Sequence, residues 1–241
     1  MQSKLLPKGY EPISYINSED ILSTYEIYKN PEYDKVVPQI LESVYKFNNE
    51  KGKESDNYPY FRTENTIQYL PKLDNPSEIF SSVQLKELHA KMPYYHQYTN
   101  LKRIFSISVD GCARRTFYDK CYDVNNSILA IKDSENNIFG AYASEAFSPK
   151  STFFGTAECF LFTFYKENKI HVFNSTGIND HYMYCDNDQI CFGCSDDYFS
   201  LSLTHDFLEG YSKSTKTYDN DCLNKNDKFT ILKLELWGFE G

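Results

Sequence analysis

No stretch of this sequence reaches the roughly 18 consecutive apolar residues that a helix needs to cross a bilayer. Residues 1–12 also lack the apolar segment of a secretory signal. The seven cysteines are an odd number, and their spacing follows no disulfide framework, which favours a reducing compartment. We therefore expect a cytoplasmic protein that does not insert into a membrane, with attachment to an organelle or a cytoskeletal assembly left open.

Clusters of basic residues are lacking as well. The 25 Lys and Arg are outnumbered by 34 Asp and Glu, and the densest basic segments are Lys102-Arg103 and Arg114-Arg115. A nucleic-acid-binding domain usually presents a basic face, and peripheral membrane binding often uses a polybasic segment. The charge pattern therefore argues against both kinds of partner.

Tryptophan occurs once, whereas the chain has 21 Tyr and 18 Phe. This excess favours strands, because flat aromatic rings pack well on a pleated surface. The predicted strands span 101–108, 127–133, 138–144, 160–165, 169–173, 181–185, 189–192, 199–203 and 229–239. Residues 134–137 are typical of a hairpin turn between two of them. Many short strands separated by turns predict a sandwich of two antiparallel sheets.

Two helices are expected beside these strands. One covers 112–121. Its candidate core contacts are Ala113, Phe117 and Tyr118. The other begins at 75–76 or 81–82 and ends before Pro93, because proline cannot continue a helix. Its apolar positions are Val83, Leu85, Leu88 and Met92.

The first 75 residues are more polar than the rest of the chain, and their hydrophobic periodicity is weak. They contain too few apolar residues to build a core of their own. One helix is predicted over 35–48. We therefore divide the chain into an N-terminal partner-binding arm, 1–75, and a folded domain, 76–241. Tyrosine is enriched at interfaces. The candidate contact residues of the arm are Tyr10, Tyr15, Tyr25, Tyr28 and Tyr33.

Short blocks along the folded domain carry a family resemblance. In order, they include Asp110-Gly111, Thr116-Phe117-Tyr118, IFGAYASEAF at 138–147, FGTAECFLF at 154–162, Gly210-Tyr211-Ser212 and LELWGF at 234–239. In these blocks the chain resembles the TLDc family, the domain of the oxidation-resistance proteins and their relatives. The residues of the blocks interpreted as structural are Gly140, Glu145, Gly155, Glu158, Gly193, Gly210, Trp237 and Gly238.

The resemblance implies a mostly β, α+β fold: a two-sheet antiparallel sandwich with short flanking helices. It also implies protection against oxidative stress and binding to the vacuolar-type proton ATPase, which relatives regulate. The family has no established catalytic residue set, so we expect a non-catalytic protein-interaction module without a cofactor. One alternative is a structural subunit of a large cytoskeletal or other multi-protein assembly.

The chain departs from the family at one loop. Relatives usually have a glycine-rich GGGDGH-type segment ahead of Phe199, whereas residues 193–198 here read GCSDDY. A role that depends on the flexibility or the histidine of that loop is therefore in doubt. Because the segment is polar and carries an aromatic ring, we interpret it as an exposed contact site. Its candidate contact residues are Ser195, Asp196, Asp197 and Tyr198.

Hypotheses that assign metal binding or redox chemistry to particular residues have less support in the sequence. His181, Cys185, Cys191 and Cys194 have a spacing that zinc ligands can have, but strand residues of this kind more often face opposite sides of a sheet, so we expect no metal. Cys191 or Cys194 near a loop suggests a second alternative, a cysteine-based redox protein.

Glu145 and Glu158 are the paired carboxylates that glycosidase chemistry would need. The more economical interpretation is that each accepts hydrogen bonds from backbone N–H groups of a loop. Trp237 is likewise expected to hold the fold.

Overall fold

Eleven strands and three short helices follow one another along residues 69–165 and 169–240, the part of the chain that the computed structural model describes. The helices are α1 (Ser82–His89), α2 (Ile107–Asp110) and α3 (Arg114–Cys121). The strands are β1 (Leu101–Ser106), β2 (Ser127–Asp133), β3 (Ile138–Ala143), β4 (Phe153–Phe154), β5 (Phe160–Phe164), β6 (Ile170–Asn174), β7 (Met183–Cys185), β8 (Gln189–Ser195), β9 (Tyr198–Thr204), β10 (Glu209–Tyr211) and β11 (Lys228–Phe239). The predicted helix 35–48 and the five arm tyrosines lie outside the described residues.

The long strand β11 belongs to both sheets. Residues 228–230 pair with β10, residues 231–238 with β2, and residues 235–239 with β1. The strand order is β6-β5-β3-β2-β11-β1 in the first sheet and β4-β7-β8-β9-β10-β11 in the second. Every pairing between these strands is antiparallel. The predicted fold class, a mostly β antiparallel fold with short flanking helices, is confirmed.

Two apolar layers lie on either side of the first sheet. The inter-sheet core fills the space between the two sheets, and the helix-side core lies between the first sheet and α1. Buried members of the inter-sheet core include Phe105, Phe117, Leu129, Ile131, Phe139, Leu161, Phe192 and Leu201. Buried members of the helix-side core include Phe80, Leu85, Leu88, Met92, Ile128, Tyr142, Phe160, Phe162 and Trp237.

The two-residue period of a strand explains how one sheet serves both layers. Successive side chains of a strand point to opposite faces. In β2, Leu129 and Ile131 enter the inter-sheet core, whereas Ile128 and Ala130 enter the helix-side core. Every residue of β2 but Lys132 is therefore buried. The continuous apolar run at residues 128–131 is what a strand covered on both faces requires.

Helix α1 begins at the predicted capping residue Ser81 but ends at His89, earlier than the predicted end before Pro93. Ser81 Oγ accepts a hydrogen bond from the Gln84 backbone N–H at 3.3 Å, and Gln84 Oε1 accepts one from the Ser81 N–H at 3.0 Å, which completes a capping box. Leu85 and Leu88 are buried as predicted. Val83 is not a core residue, because 55% of its surface is exposed.

Several predicted boundaries were wrong for local reasons. The strand predicted over 101–108 ends at Ser106, whose side chain accepts a hydrogen bond from the Ser108 N–H at 3.3 Å and starts α2. The next helix starts at Arg114 rather than at residue 112, and Ala113 is its exposed N-cap. Arg114 is buried instead, with its Nε donating to the carbonyl of His205 at 3.3 Å. The short strands β4 and β10 were not predicted.

No helix within the described ranges combines the length and the apolar composition that crossing a membrane would need.

Candidate interaction surface

The most prominent exposed aromatic surface is the tyrosine turn, which we define as residues 94–98. Tyr94, Tyr95 and Tyr98 are 57%, 52% and 53% exposed. The turn follows Pro93 and starts with a single turn of 3-10 helix over Tyr94–His96. The Tyr94 and Tyr98 rings are in edge contact, with 6.4 Å between their centroids. Exposed tyrosines, with an apolar ring and a hydroxyl group, are typical of protein interfaces.

Contacts to three other segments hold the tyrosine turn in place. The His96 ring stacks on the Phe239 ring, with 3.8 Å between centroids and an interplanar angle of 9°. Tyr95 Oη donates to Glu158 Oε2 at 2.7 Å. Gln97 Nε2 donates to the Met92 carbonyl at 2.9 Å. The exposed rings are therefore presented on a fixed backbone rather than on a free loop.

A buried polar group lies beneath the turn. Tyr142 Oη donates to Asn126 Oδ1 at 2.8 Å, and the Tyr142 ring stacks on Phe160 at 5.2 Å. Asn126 has a positive φ of 55°, a conformation that asparagine tolerates better than most residues. Burial raises the pKa of Tyr142, so its hydroxyl stays protonated.

His96 is held neutral by the same surroundings. Burial lowers the pKa of His96 to about 4, although the negative charge of Glu158 acts in the opposite direction. Its Nε2 is buried and has no hydrogen-bond partner among the described residues. A neutral ring stacks on Phe239 without the cost of a buried charge.

The predicted contact loop before Phe199 is a tight hairpin turn. Ser195 pairs with Tyr198, so Asp196 and Asp197 alone connect β8 to β9. Their φ angles are 51° and 67°, as a type I′ turn requires, and Asp is tolerated in such turns.

Asp196, Asp197 and Tyr198 are exposed, whereas Ser195 is half-buried. Two lysines contact the side chains of this turn. Lys213 Nζ lies 4.1 Å from the centroid of the Tyr198 ring. Lys216 Nζ lies 3.5 Å from Asp196 Oδ2, and its backbone N–H donates to Ser195 Oγ at 3.1 Å. The turn therefore forms a small mixed-charge patch that also carries a ring that is 51% exposed.

The suggested zinc ligands do not converge. Cys185 is part of the inter-sheet core, whereas Cys191 pairs with Tyr184 and its Sγ contacts Ser202 Oγ at 3.4 Å, on the opposite face of the second sheet. Residues 69–165 and 169–240 contain no group of three or more His, Cys, Asp and Glu side chains placed to hold a metal ion.

The thiols of this region are not activated. Cys191 does not lie at an exposed loop; it is fully buried, and burial raises its pKa to about 12. Burial also raises the pKa of Cys194, and the carboxylates of Asp197 and Asp196 raise it further. Peroxide reacts with thiolates, and both thiols are protonated near neutral pH.

The two family glutamates have different partners. Glu145 Oε1 accepts a hydrogen bond from the Gly155 N–H at 3.2 Å, and its Oε2 pairs with Lys150 Nζ at 3.2 Å. Glu158 is exposed and accepts from Tyr95 instead of from a backbone N–H. The structural interpretation of Glu145 therefore agrees with its contacts, whereas Glu158 anchors the tyrosine turn.

A buried glutamate that the sequence did not single out fastens the segment before α1. Glu235 is fully buried in β11. Its carboxylate accepts from Ser77 Oγ at 2.6 Å, the Glu78 N–H at 2.8 Å and Trp237 Nε1 at 3.0 Å. Trp237, 1% exposed, thus holds the fold through its ring and its N–H together.

A polar pocket of about 340 Å³ lies at the β2–β3 turn. Its lining residues are Asp133, Ser134, Glu135, Glu209, Asn224, Lys228, Phe229 and Thr230. Asp133 Oδ1 accepts from the N–H groups of Glu135 and Asn137 at 2.9 and 2.8 Å, and Glu209 pairs with Lys228 at 2.7 Å. These carboxylates are engaged in turn and ion-pair contacts, so they do not form an acid–base pair.

Comparison with known proteins agrees with this architecture. A sequence profile of the TLDc domain matches residues 73–240. This chain belongs to the TLDc domain family. It is 34% identical over 173 residues to Oxidation resistance protein 1 of Xenopus laevis, which is 71% of this chain and 20% of that protein. The human Oxidation resistance protein 1 has the same identity and the same coverage.

A second group of relatives is named Nuclear receptor coactivator 7. The Gallus gallus protein is 32% identical over 213 residues, which are 88% of this chain and 23% of that protein. The chain thus spans about a fifth of the length of the curated relatives that it matches.

All of the TLDc block glycines but Gly111, which has a φ of 77° and open space around it, are positions of close approach. A Cβ on Gly140 would lie 1.9 Å from the Leu129 carbonyl oxygen, so β2 and β3 would have to separate. At Gly193, φ is 64° and a Cβ would lie 2.2 Å from Ser200 Oγ. The remaining block glycines, each with a side chain within 3.3 Å of such a Cβ, are Gly155, Gly210 and Gly238.

The tyrosine turn itself was missed from the sequence. Three tyrosines between Pro93 and Leu101 are a visible signal, but nothing local shows that they stay exposed while His96 and Gln97 are anchored.

Proposed function

We propose that this chain is a non-catalytic TLDc interaction module that acts in oxidative-stress resistance by binding and regulating a large assembly such as the vacuolar-type proton ATPase. The relatives named Oxidation resistance protein 1 support the stress role. The relative named Nuclear receptor coactivator 7 supports a role carried out through protein partners.

The observation that carries the proposal is the tyrosine turn. Three rings stay more than half exposed while the intervening His96 and Gln97 are fixed to Phe239 and Met92. A surface that is ordered before binding loses little conformational entropy when a partner covers it. Tyrosine also offers a large contact area with few rotatable bonds.

The proposed role is non-catalytic because of the contacts that three chemically reactive side chains make within the domain. Glu145 and Glu235 accept hydrogen bonds from the domain itself, and burial raises the pKa of Cys191. Glu235 and Cys191 are fully buried, and the Glu145 carboxylate is engaged by Gly155 and Lys150, which supports the proposal of a non-catalytic role.

The test is affinity capture of the assembly from lysate with the full chain, followed by quantification of the proton ATPase subunits. We expect Tyr98→Ser to lower their recovery about tenfold, the effect of losing one interface anchor. The matched control is Tyr122→Ser, which removes a ring that is 70% exposed at the end of α3. Wild-type chain that recovers no ATPase subunit would rule out this partner, and equal recovery by both variants would rule out the surface.

The alternatives are less well supported. The structural-subunit interpretation drew on the N-terminal arm, of which only residues 69–75 are described, and it stays a prediction. The redox interpretation required an activated Cys191 or Cys194. A cell strain carrying Cys191→Ser and Cys194→Ser together is expected to tolerate peroxide as well as wild type, whereas a clear loss of tolerance would restore that interpretation.

A further inference from the structure

Strand β6 forms an open edge of the first sheet. It pairs with β5, Phe162 lying opposite Val172, and it is the terminal strand in the sheet order. The Tyr165 N–H donates to the Lys169 carbonyl at 3.0 Å. Because bonded pairs alternate along an antiparallel ladder, the residues at 171 and 173 bond to β5.

The intervening residues of β6 point their backbone groups away from β5. Those residues are Ile170, Val172 and Asn174. No backbone hydrogen bond to any of them is found elsewhere in the described part of the chain. The open edge therefore presents a row of N–H and C=O groups with the spacing that another strand would match.

The other two edges of the sandwich are protected. At β1, the Leu101 N–H donates to the Lys72 carbonyl at 2.9 Å, and the Arg103 N–H donates to Asp74 Oδ1 at 2.8 Å. At the far end of the second sheet, β4 is two residues long. Short strands and covering segments are common ways of preventing edge-to-edge association.

Among the residues that the structure describes, nothing protects strand β6 in these ways. Its sequence, IHVFN, contains no proline, no lysine and no acidic residue, and its register with β5 is regular. Ile, Val and Phe also have high strand propensity. The edge is therefore suited to pairing rather than guarded against it.

The helix-side core is incomplete at the same edge. Ile170, Val172 and Phe164 pack against this core but are only partly buried. Helix α1 contacts β6, and Val83 on that helix is 55% exposed. An additional strand beside β6 would extend the sheet and cover apolar surface left open under α1.

We propose that β6 pairs with β6 of a second copy of this chain, antiparallel, around a two-fold axis at Val172. The outward-facing residues are placed symmetrically about Val172, so Ile170 of one copy meets Asn174 of the other and Val172 meets Val172. In this register each outward N–H faces a carbonyl of the other copy.

Side-chain chemistry favours this occupant. In the same register His171 lies opposite Phe173, and Lys169 lies opposite Ser175, so no like charges meet across the interface. Facing like charges would destabilise a strand pair. Because the ladder is short, we expect a reversible dimer with a Kd on the order of 10–100 µM.

The first test is sedimentation of the full chain over a concentration series. We expect a monomer–dimer equilibrium for wild type and at least a 30-fold higher Kd for Val172→Pro, which removes the central outward donor. Proline is tolerated on an edge strand where its nitrogen faces solvent. The matched control, Val172→Thr, keeps the donor and is expected to dimerise. A wild-type chain that stays monomeric would overturn the proposal.

A second test does not depend on how well the proline variant folds. Paired residues of such a ladder have Cα atoms about 5.5 Å apart, within the range of a disulfide. We expect Val172→Cys to form a disulfide-linked dimer under mild oxidation and His171→Cys to do so at least tenfold more slowly, because its opposite residue is Phe173. Equal crosslinking of the two variants, or a dimer that Val172→Pro leaves intact, would mean that the edge serves another occupant, such as an extended peptide of a different protein.

Discussion

The inter-sheet core and the helix-side core share the same strands but are closed in different ways. The inter-sheet core is bounded by two sheets whose registers are set by backbone hydrogen bonds, and its centre is a group of rings in mutual contact. Phe117 lies 5.2 Å from Phe105, 5.3 Å from Phe147 and 5.2 Å from Phe207. The helix-side core is bounded on one side by segments of residues 69–98, which side-chain hydrogen bonds fasten to the sheet.

This difference between the two cores indicates which of them unfolds locally first. A layer closed by a few polar anchors has a lower free energy of local opening than one closed by two sheets. Glu235, the His96–Phe239 stack and the Tyr95–Glu158 bond are the anchors of the helix-side core. The candidate interaction surface lies on this less firmly closed layer.

The largest effect is expected from Phe117→Ala. This substitution leaves a cavity among three rings and is expected to lower the free energy of unfolding by about 3–5 kcal/mol. Urea denaturation measures the loss. Hydrogen exchange is expected to accelerate in both sheets. Acceleration confined to residues 77–98 would contradict the idea that the inter-sheet core is the more firmly closed of the two.

A smaller and more local effect is expected from Glu235→Ala. The donors of Ser77, Glu78 and Trp237 lose their acceptor in a buried site, which costs about 2–4 kcal/mol. Hydrogen exchange is expected to accelerate most in residues 77–92. Glu235→Gln keeps one acceptor oxygen and is expected to lose less. Equal acceleration in β8 and β9 would show that the two cores open together.

Acid is expected to weaken the helix-side core through His96. Its pKa is about 4 in the folded chain and about 6.5 when unfolded, so the unfolded state binds more protons between these values. Stability contributed by the neutral ring is therefore present above pH 6.5 and lost as the pH falls towards 4. Burial also lowers the pKa of His89, which adds in the same direction.

The measurement compares wild type with His96→Phe, which keeps a ring to stack on Phe239. Allowing for partial exposure of the ring, we expect wild type to lose about 1–2 kcal/mol more than the variant between pH 7 and 4.5. Identical pH profiles would show that His96 is not an acid-sensitive anchor.

The smallest effect is expected outside both cores. Asp197→Gly relieves a positive φ of 67° at the β8–β9 turn and is expected to stabilise the domain by about 0.5 kcal/mol. Asp188→Gly, at an exposed position without a positive φ, is the control and is expected to be slightly destabilising. The thermal midpoints of the two variants should shift in opposite directions, and a loss of stability in Asp197→Gly would contradict the strain argument.

Much of the sheet was predictable because the pattern of apolar and polar residues along a strand is a local property of the sequence. The predicted bounds of β2, Ser127–Asp133, agree with the structure. Side chains alternate between the two faces of a strand, which places Phe160 and Phe162 of β5 on one face, and both are found in the helix-side core. The burial of Leu85 and Leu88 followed from helical spacing in the same way. Met92 is buried as well, but it lies beyond the end of α1.

The anchors were not predictable because they join distant parts of the chain. Glu235 bonds to Ser77, 158 residues away, and Tyr95 bonds to Glu158, 63 residues away. No periodic pattern in the sequence identifies such pairs. The segment before Phe199 was predicted to be an exposed contact loop because it is polar, whereas Asp196 and Asp197 adopt positive φ angles and form a two-residue turn.

Because β11 completes both sheets, the order of synthesis constrains how this domain folds. Leu101 pairs with Phe239, so β1, the first strand of the described residues, cannot complete its pairing until β11 has been synthesised. Until then the β2–β3 hairpin displays apolar side chains on both faces, and native pairings of such large sequence separation form slowly. The nascent chain is therefore expected to depend on chaperones that shield these strands until residues 228–239 have left the exit tunnel.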